Sequence, residues 1–217
     1  MSLLLSFYEE GSVEAGLDEA GRGALAGPVV AAAVVWNPEL SPAACPTTRR
    51  IRDSKRLSRK QREALRCFIE DEAVAWSVCS VPPREVDRIN VLGATMQAMR
   101  GALDGLDVDV DRLLVDGPHF HGYVSPSTLE MVPYTCIEGG DDKFVAIAAA
   151  SILAKTTRDQ YVREVLAPAH PGYGWDHNMC YGSAEHMDAL ARIGVTPHHR
   201  MSYAPVRAAA AAKPSFG

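Results

Sequence analysis

Long apolar runs are missing from this chain: nowhere do 18 or more apolar residues follow one another, and its first ten residues carry Glu9 and Glu10 where a secretory leader carries Lys or Arg. Membrane spanning and secretion are therefore not expected, and a cytoplasmic location is. Cysteine is sparse: Cys45, Cys67, Cys79, Cys136 and Cys180 are odd in number and form no C-x-x-C pair. That pattern suits a reducing compartment and offers no cysteine-rich zinc site. Positive charge is short as well, with 22 Lys and Arg against 27 Asp and Glu for a net charge of -5. Taken as a sum, this speaks against a polyanionic partner. What is present is 217 residues, 47% apolar and 23% charged. One domain of that length buries roughly 70% of the surface its unfolded chain exposes, without help from disulfides or a structural metal.

The distribution of charge says more than the sum. Between Arg49 and Arg66 stand nine basic residues against two acids, Asp53 and Glu63. Such a run is either a solvated helix face or a phosphate-binding patch. Ser58 and Gln61 open a helix there as a capping box, each side chain satisfying an otherwise orphan amide. Before it, residues 13–19 and 28–36 suggest two strands joined by the glycine-rich turn at residues 21–27. After it, strands are expected at residues 73–81, 112–116 and 131–137. Helices are expected at about residues 84–103, from spacings of three and four between Val86, Ile89, Leu92, Met96, Met99 and Leu103, and at about 143–165. Ser183 caps a short helix that Gly194 ends. The pattern is that of one α/β or α+β domain, with a frayed tail from Arg207 to Gly217.

Acids occur where structure explains them least: Asp18 and Glu19 after Val13–Leu17, and Asp116 after Leu113–Val115. An ionised carboxylate beside a buried strand needs a partner. Two such strand ends and a third acid from a loop would make an all-oxygen cage of the kind Mg²⁺ or Mn²⁺ prefers. Successive side chains on a strand oppose one another, so Asp18 and Glu19 share an ion only if the chain turns there, which Gly21 and Gly23 favour. Of Asp141 and Asp142, one caps the following helix and the other faces the site; propensity does not say which.

Asp18-Glu-Ala-Gly-Arg-Gly23, Leu25-Ala-Gly-Pro-Val-Val-Ala-Ala-Ala33, Asp53-Ser-Lys-Arg-Leu57, Leu114-Val-Asp-Gly117, Ile147-Ala-Ala-Ala-Ser-Ile-Leu-Ala-Lys155 with Thr157-Arg-Asp159, and His198-His-Arg200 occur in that order. Together they resemble bacterial ribonuclease HII from about residue 13 to residue 206. The resemblance implies an α/β, ribonuclease H-like fold: a five-stranded mixed sheet flanked by helices, with additional C-terminal helices. It implies one catalytic domain over residues 1–206, a disordered tail over 207–217, and a monomer.

It further implies a metal-dependent endoribonuclease acting on RNA/DNA hybrids and on ribonucleotide-containing duplex DNA, nicked 5′ to the ribonucleotide to leave 3′-hydroxyl and 5′-phosphate ends. Asp18, Glu19, Asp116 and Asp141 match the four acids that hold two divalent ions, Mn²⁺ or Mg²⁺. Asp141 is preferred to Asp142 because the family's fourth Asp lies six residues before the position of Ile147. Gly21, Arg22 and Gly23 match the reader of the 2′-hydroxyl, Tyr181 the tyrosine that stacks on the neighbouring deoxyribose, and Lys55 a phosphate contact. Ser151 and Lys155 match substrate-binding positions, although Lys155 and Arg158 equally suit structural ion pairs.

Asn178-Met-Cys-Tyr181 departs from the family's His-Lys-Gly-Tyr, removing a basic contact but no ligand. His170, His177, His186, His198 and His199 lack metal-site spacing and are taken as surface or loop residues. Three rivals stand beside this reading. Ribonuclease HIII usually carries an extra N-terminal domain, and only about 12 residues precede the first strand here. A small-molecule phosphatase would not need the basic run, and a catalytically silent nucleic-acid binder could lose its acids.

Overall fold

The computed structural model describes residues 3–212. Five strands form one mixed sheet in the order β3-β2-β1-β4-β5: β1 (Glu14–Ala20), β2 (Val29–Val35), β3 (Ala75–Val81), β4 (Arg112–Asp116) and β5 (Tyr134–Ile137). The first three pair antiparallel, whereas β4 runs parallel to both β1 and β5. Helices α1 (Arg59–Glu72) and α3 (Val145–Tyr161) cover one face, and α2 (Pro83–Asp104) covers the other. A wide π-helical turn, Val162–Leu166, continues α3 into α4 (Ala167–Ala169), and α5 (Trp175–Asn178), α6 (Ala184–Ile193) and α7 (Ala204–Ala212) complete the chain's C-terminal part. This is the α/β arrangement that the resemblance implied.

β2 shows why the sheet takes two helical layers. All seven of its residues are buried; Val29, Ala31, Ala33 and Val35 pack toward α2, and Val30, Ala32 and Val34 toward α1 and α3. Alternation of faces along a strand gives both layers an apolar surface. The alanines of α3 let it lie close against β1. At Gly16 the approach is so tight that a Cβ would stand 2.3 Å from the Ala146 carbonyl carbon. Ser58 caps α1 in the expected box with Gln61, and Ser183 caps α6, accepting from the His186 amide.

Four expectations need correction. β1 does not turn at Asp18–Glu19 but continues to Ala20, with Asp18 opposite Ala32 and Glu19 opposite Ala31. The helix expected over residues 84–103 breaks at Asn90 (φ 61°), whose Oδ1 then accepts from the Leu92 and Gly93 amides and starts a second segment; an internal Asx cap outcompetes the continuous ladder. The tail expected from Arg207 is helical through Ala212, since its alanines propagate a helix well and Val206 is buried beside Leu190 and Trp175; residues 213–217 lie outside the described residues. His186 and His199 are not surface residues but are 0% and 2% exposed. Among the described residues, no helix is long and apolar enough to cross a membrane.

Candidate active site

β1 and β4 are parallel and their last recorded pair is Leu17 with Val115. The next residues along, Asp18 and Asp116, therefore stand beside each other, on the face covered by α3. Asp18 is 4% exposed. Burial, then the charges of Glu19 and Asp116, push its carboxyl well above the usual carboxylate range, against a hydrogen bond from Ser151. Glu19 is raised mainly by burial, opposed by Arg22, whose Nη1 is 3.3 Å from Glu19 Oε1. Asp116 Oδ1 accepts from the Gly140 amide at 2.7 Å, tying β4 to the turn that carries Asp141.

That turn separates the two candidate aspartates. Asp141 is buried, and burial together with Asp116 and Asp53 raises its carboxyl to about 6. Asp142 instead points outward and meets Arg56 Nη2 at 2.8 Å. Neither caps α3, whose N-cap is Phe144 without a side-chain bond. Lys55 is a cation near the acids: burial lowers its pKa, but Asp53, Asp18, Asp141 and Asp116 outweigh it and the net shift is upward. Asp53, which sequence reasoning did not nominate, thus belongs to the cluster; its place two residues before Lys55 in Asp-Ser-Lys was the available signal.

A ribonuclease of this resemblance implies divalent ions, and the donor set suits them: four carboxylates and no nitrogen or sulfur, the chemistry of hard cations. Burial first, and repulsion by neighbouring acids second, raises the carboxyls of Asp18, Glu19 and Asp141, and a bound cation would favour their charged forms. As they stand, no three His, Cys, Asp or Glu side chains among the described residues enclose a common ion position. Asp18 Oδ1 and Asp116 Oδ1 each accept from a backbone amide, which leaves the second oxygen of each carboxylate for an ion.

The other candidates fall into two groups. Gly21, Arg22 and Gly23 form the turn after β1. Gly21 has φ +94°, and a Cβ there would meet Arg158 Nε at 2.1 Å, whereas a Cβ at Gly23 meets nothing within 4 Å. Tyr181 is partly exposed, with Arg158 Cζ 5.3 Å and Lys155 Nζ 5.5 Å from its ring centroid. Lys155 also pairs with Asp159 at 2.8 Å. Ser151 is buried against Ser54 Oγ at 2.9 Å and beneath Asp18, which makes it a support for the carboxylate.

Two fully buried arginines hold this region. Arg158 donates to the carbonyls of Pro28, Met179 and Ala26; Arg200 donates to those of Gly27 and Arg22. The basic run is less free than its count suggests. Arg59 pairs with Glu63, Arg66 with Glu70 and Arg62 with Asp159, and Arg49 donates to the Pro42 and Ala43 carbonyls. Lys55 keeps a side chain 78% exposed.

The family model described as Ribonuclease HII matches residues 15–206. Among curated relatives, Ribonuclease HII of Bacteroides fragilis is 45% identical over 201 residues, 93% of this chain and 94% of the relative. That of Paramagnetospirillum magneticum is 47% identical over 202 residues, 92% of this chain and 94% of the relative. Among solved structures, the ribonuclease H2 from Pyrococcus horikoshii superposes with a TM-score of 0.71 at 25% identity, covering 91% of this chain and 97% of that one. With the match running from β1 through the start of α7, the chain belongs to the ribonuclease HII family.

Proposed function

We propose that this chain is a divalent-metal-dependent endonuclease that hydrolyses RNA in RNA/DNA hybrids and nicks duplex DNA 5′ to an embedded ribonucleotide, leaving 3′-hydroxyl and 5′-phosphate ends. Its family membership carries the hybrid-directed ribonuclease activity. The observation that carries the rest is the nearness of Asp18, Glu19 and Asp116, at the ends of β1 and β4, to Asp141 on the turn after β5, all within electrostatic reach of Lys55.

These four carboxylates would hold the metal, Mg²⁺ or Mn²⁺. A pair of such ions, when bound, supplies an activated water and neutralises charge on the attacked phosphate and the leaving oxygen. The chain's own residues do the positioning. Lys55, exposed beside the acids, meets a backbone phosphate that the bare carboxylates would repel. Gly23 faces open space and nothing in the fold demands a glycine there, so its lack of a side chain suits close approach of a sugar to the backbone, where a 2′-hydroxyl is read. Tyr181 offers a ring to the deoxyribose on the other side of the junction.

The deciding experiment compares a duplex with one ribonucleotide, an all-DNA duplex and a continuous RNA/DNA hybrid, each with Mg²⁺, Mn²⁺ or chelator. Metal-dependent nicking at the 5′ side of the ribonucleotide, with all-DNA intact, is expected. Cutting of the continuous hybrid alone would overturn the junction reading.

A further inference from the structure

Behind the Tyr181 loop, two buried histidines form a hydrogen-bond chain. His186 Nδ1 is 3.0 Å from the Tyr181 carbonyl. Its Nε2 is 3.1 Å from Trp175 Nε1 and 3.1 Å from His199 Nε2. An indole N–H only donates, so His186 Nε2 accepts and the proton of the neutral ring sits on Nδ1, directed at Tyr181. His199 Nδ1 accepts from the Thr196 amide at 2.9 Å, which leaves its proton on Nε2, directed at His186. Pure donors at both ends, the Trp175 indole and the Thr196 amide, thus set both tautomers. Burial lowers the pKa of both rings, that of His199 to about 4, so they are neutral near pH 7.

The loop needs such a fastening. Met179 and Cys180, just before Tyr181, have φ of 50° and 63°, a region side-chain-bearing residues seldom occupy and hold only when neighbours compel it. Arg158 holds the Met179 carbonyl and Asn178 Oδ1 accepts from the Cys180 amide. His186 holds the residue that carries the ring.

We propose that His186 is a positioning residue for junction recognition: its Nδ1–H fixes the Tyr181 carbonyl and with it the direction of the phenol ring, and the Trp175 indole, together with His199, keeps His186 in the tautomer that can do so. This rests on the reading of Tyr181 as the residue that addresses the deoxyribose.

The test measures the ratio of nicking rate on a one-ribonucleotide duplex to cleavage rate on a continuous hybrid, in Mg²⁺, for wild type, Tyr181→Ala, His186→Asn, His186→Gln and the double variant Tyr181→Ala/His186→Gln. An Asn amide nitrogen can occupy the place of Nδ1 and keep the bond to Tyr181, whereas Gln reaches the Nε2 position and loses it. The expected result is a ratio lowered about fivefold in His186→Gln, the worth of one neutral hydrogen bond, and largely retained in His186→Asn. In the double variant His186→Gln should add nothing to Tyr181→Ala, because one residue acts through the other. Equal ratios for Asn and Gln, or independent losses in the double variant, overturn the proposal. A normal ratio in Tyr181→Ala is a different failure: it removes the reading of Tyr181 itself, and the positioning role with it.

Discussion

Arg158 lies beneath Tyr181, its guanidinium carbon 5.3 Å from the ring centroid, while its nitrogens hold the carbonyls of Pro28, Ala26 and Met179. One buried side chain therefore joins the glycine-rich turn after β1 to the loop that presents the tyrosine. The two elements proposed to read opposite sides of a junction share a rigid support, and its geometry needs the planar fork of an arginine.

Arg158→Lys should destabilise the protein by about 3 kcal/mol, because a lysine cannot serve all three carbonyls and the unserved ones stay buried. Urea unfolding of both proteins measures the difference; a midpoint equal to wild type would show that the carbonyls find other donors.

Asp18→Asn and Asp116→Asn should each lower cleavage in Mg²⁺ by about 10³-fold or more, as expected when a group that organises transition-state charge is lost. Asp18→Asn should also unfold at or above the wild-type temperature without metal, because it removes a buried carboxylate repelled by Glu19 and Asp116. Near-normal turnover in either variant would remove that residue from the ligand set.

Mg²⁺ or Mn²⁺ should raise the thermal midpoint of the wild type, by mass action worth about 2.7 kcal/mol at a hundred times Kd, and chelator should reverse it. The double variant Asp18→Asn/Asp116→Asn should show a much smaller rise. Equal shifts in the two proteins would place the ion elsewhere.

The two glycines of the turn should behave differently. Gly21→Ala forces a side chain into Arg158 at φ +94° and should cost stability, whereas Gly23→Ala meets open space and should leave stability unchanged while impairing cleavage next to a ribonucleotide. Calorimetry and the one-ribonucleotide assay on the same two samples separate the effects.

His199 should make the protein acid-sensitive. Its folded pKa is about 4 against 6.5 for an ordinary histidine, so between those values the unfolded chain binds the extra proton and stability falls as pH falls. The full span corresponds to about 3 kcal/mol. His199→Gln should flatten the slope of unfolding free energy between pH 6.5 and 4; an unchanged slope would assign the sensitivity to other groups.

The sequence determined most of the elements and singled out three of the acids. The capping box at Ser58, the strand at residues 112–116 and the acids Asp18, Glu19 and Asp116 follow from local pattern, since caps, strand alternation and uncompensated carboxylates are properties of neighbouring residues. The distinction between Asp141 and Asp142 needed the resemblance, and their opposite environments appear only once β4 is in place, because Gly140 must reach Asp116 across 24 residues of chain. The roles of Arg158 and Arg200 and the burial of His186 against His199 were decided by tertiary structure alone. Each depends on groups far apart in sequence meeting where water is excluded, and there the hydrogen-bond partners that the fold supplies determine what a polar side chain does.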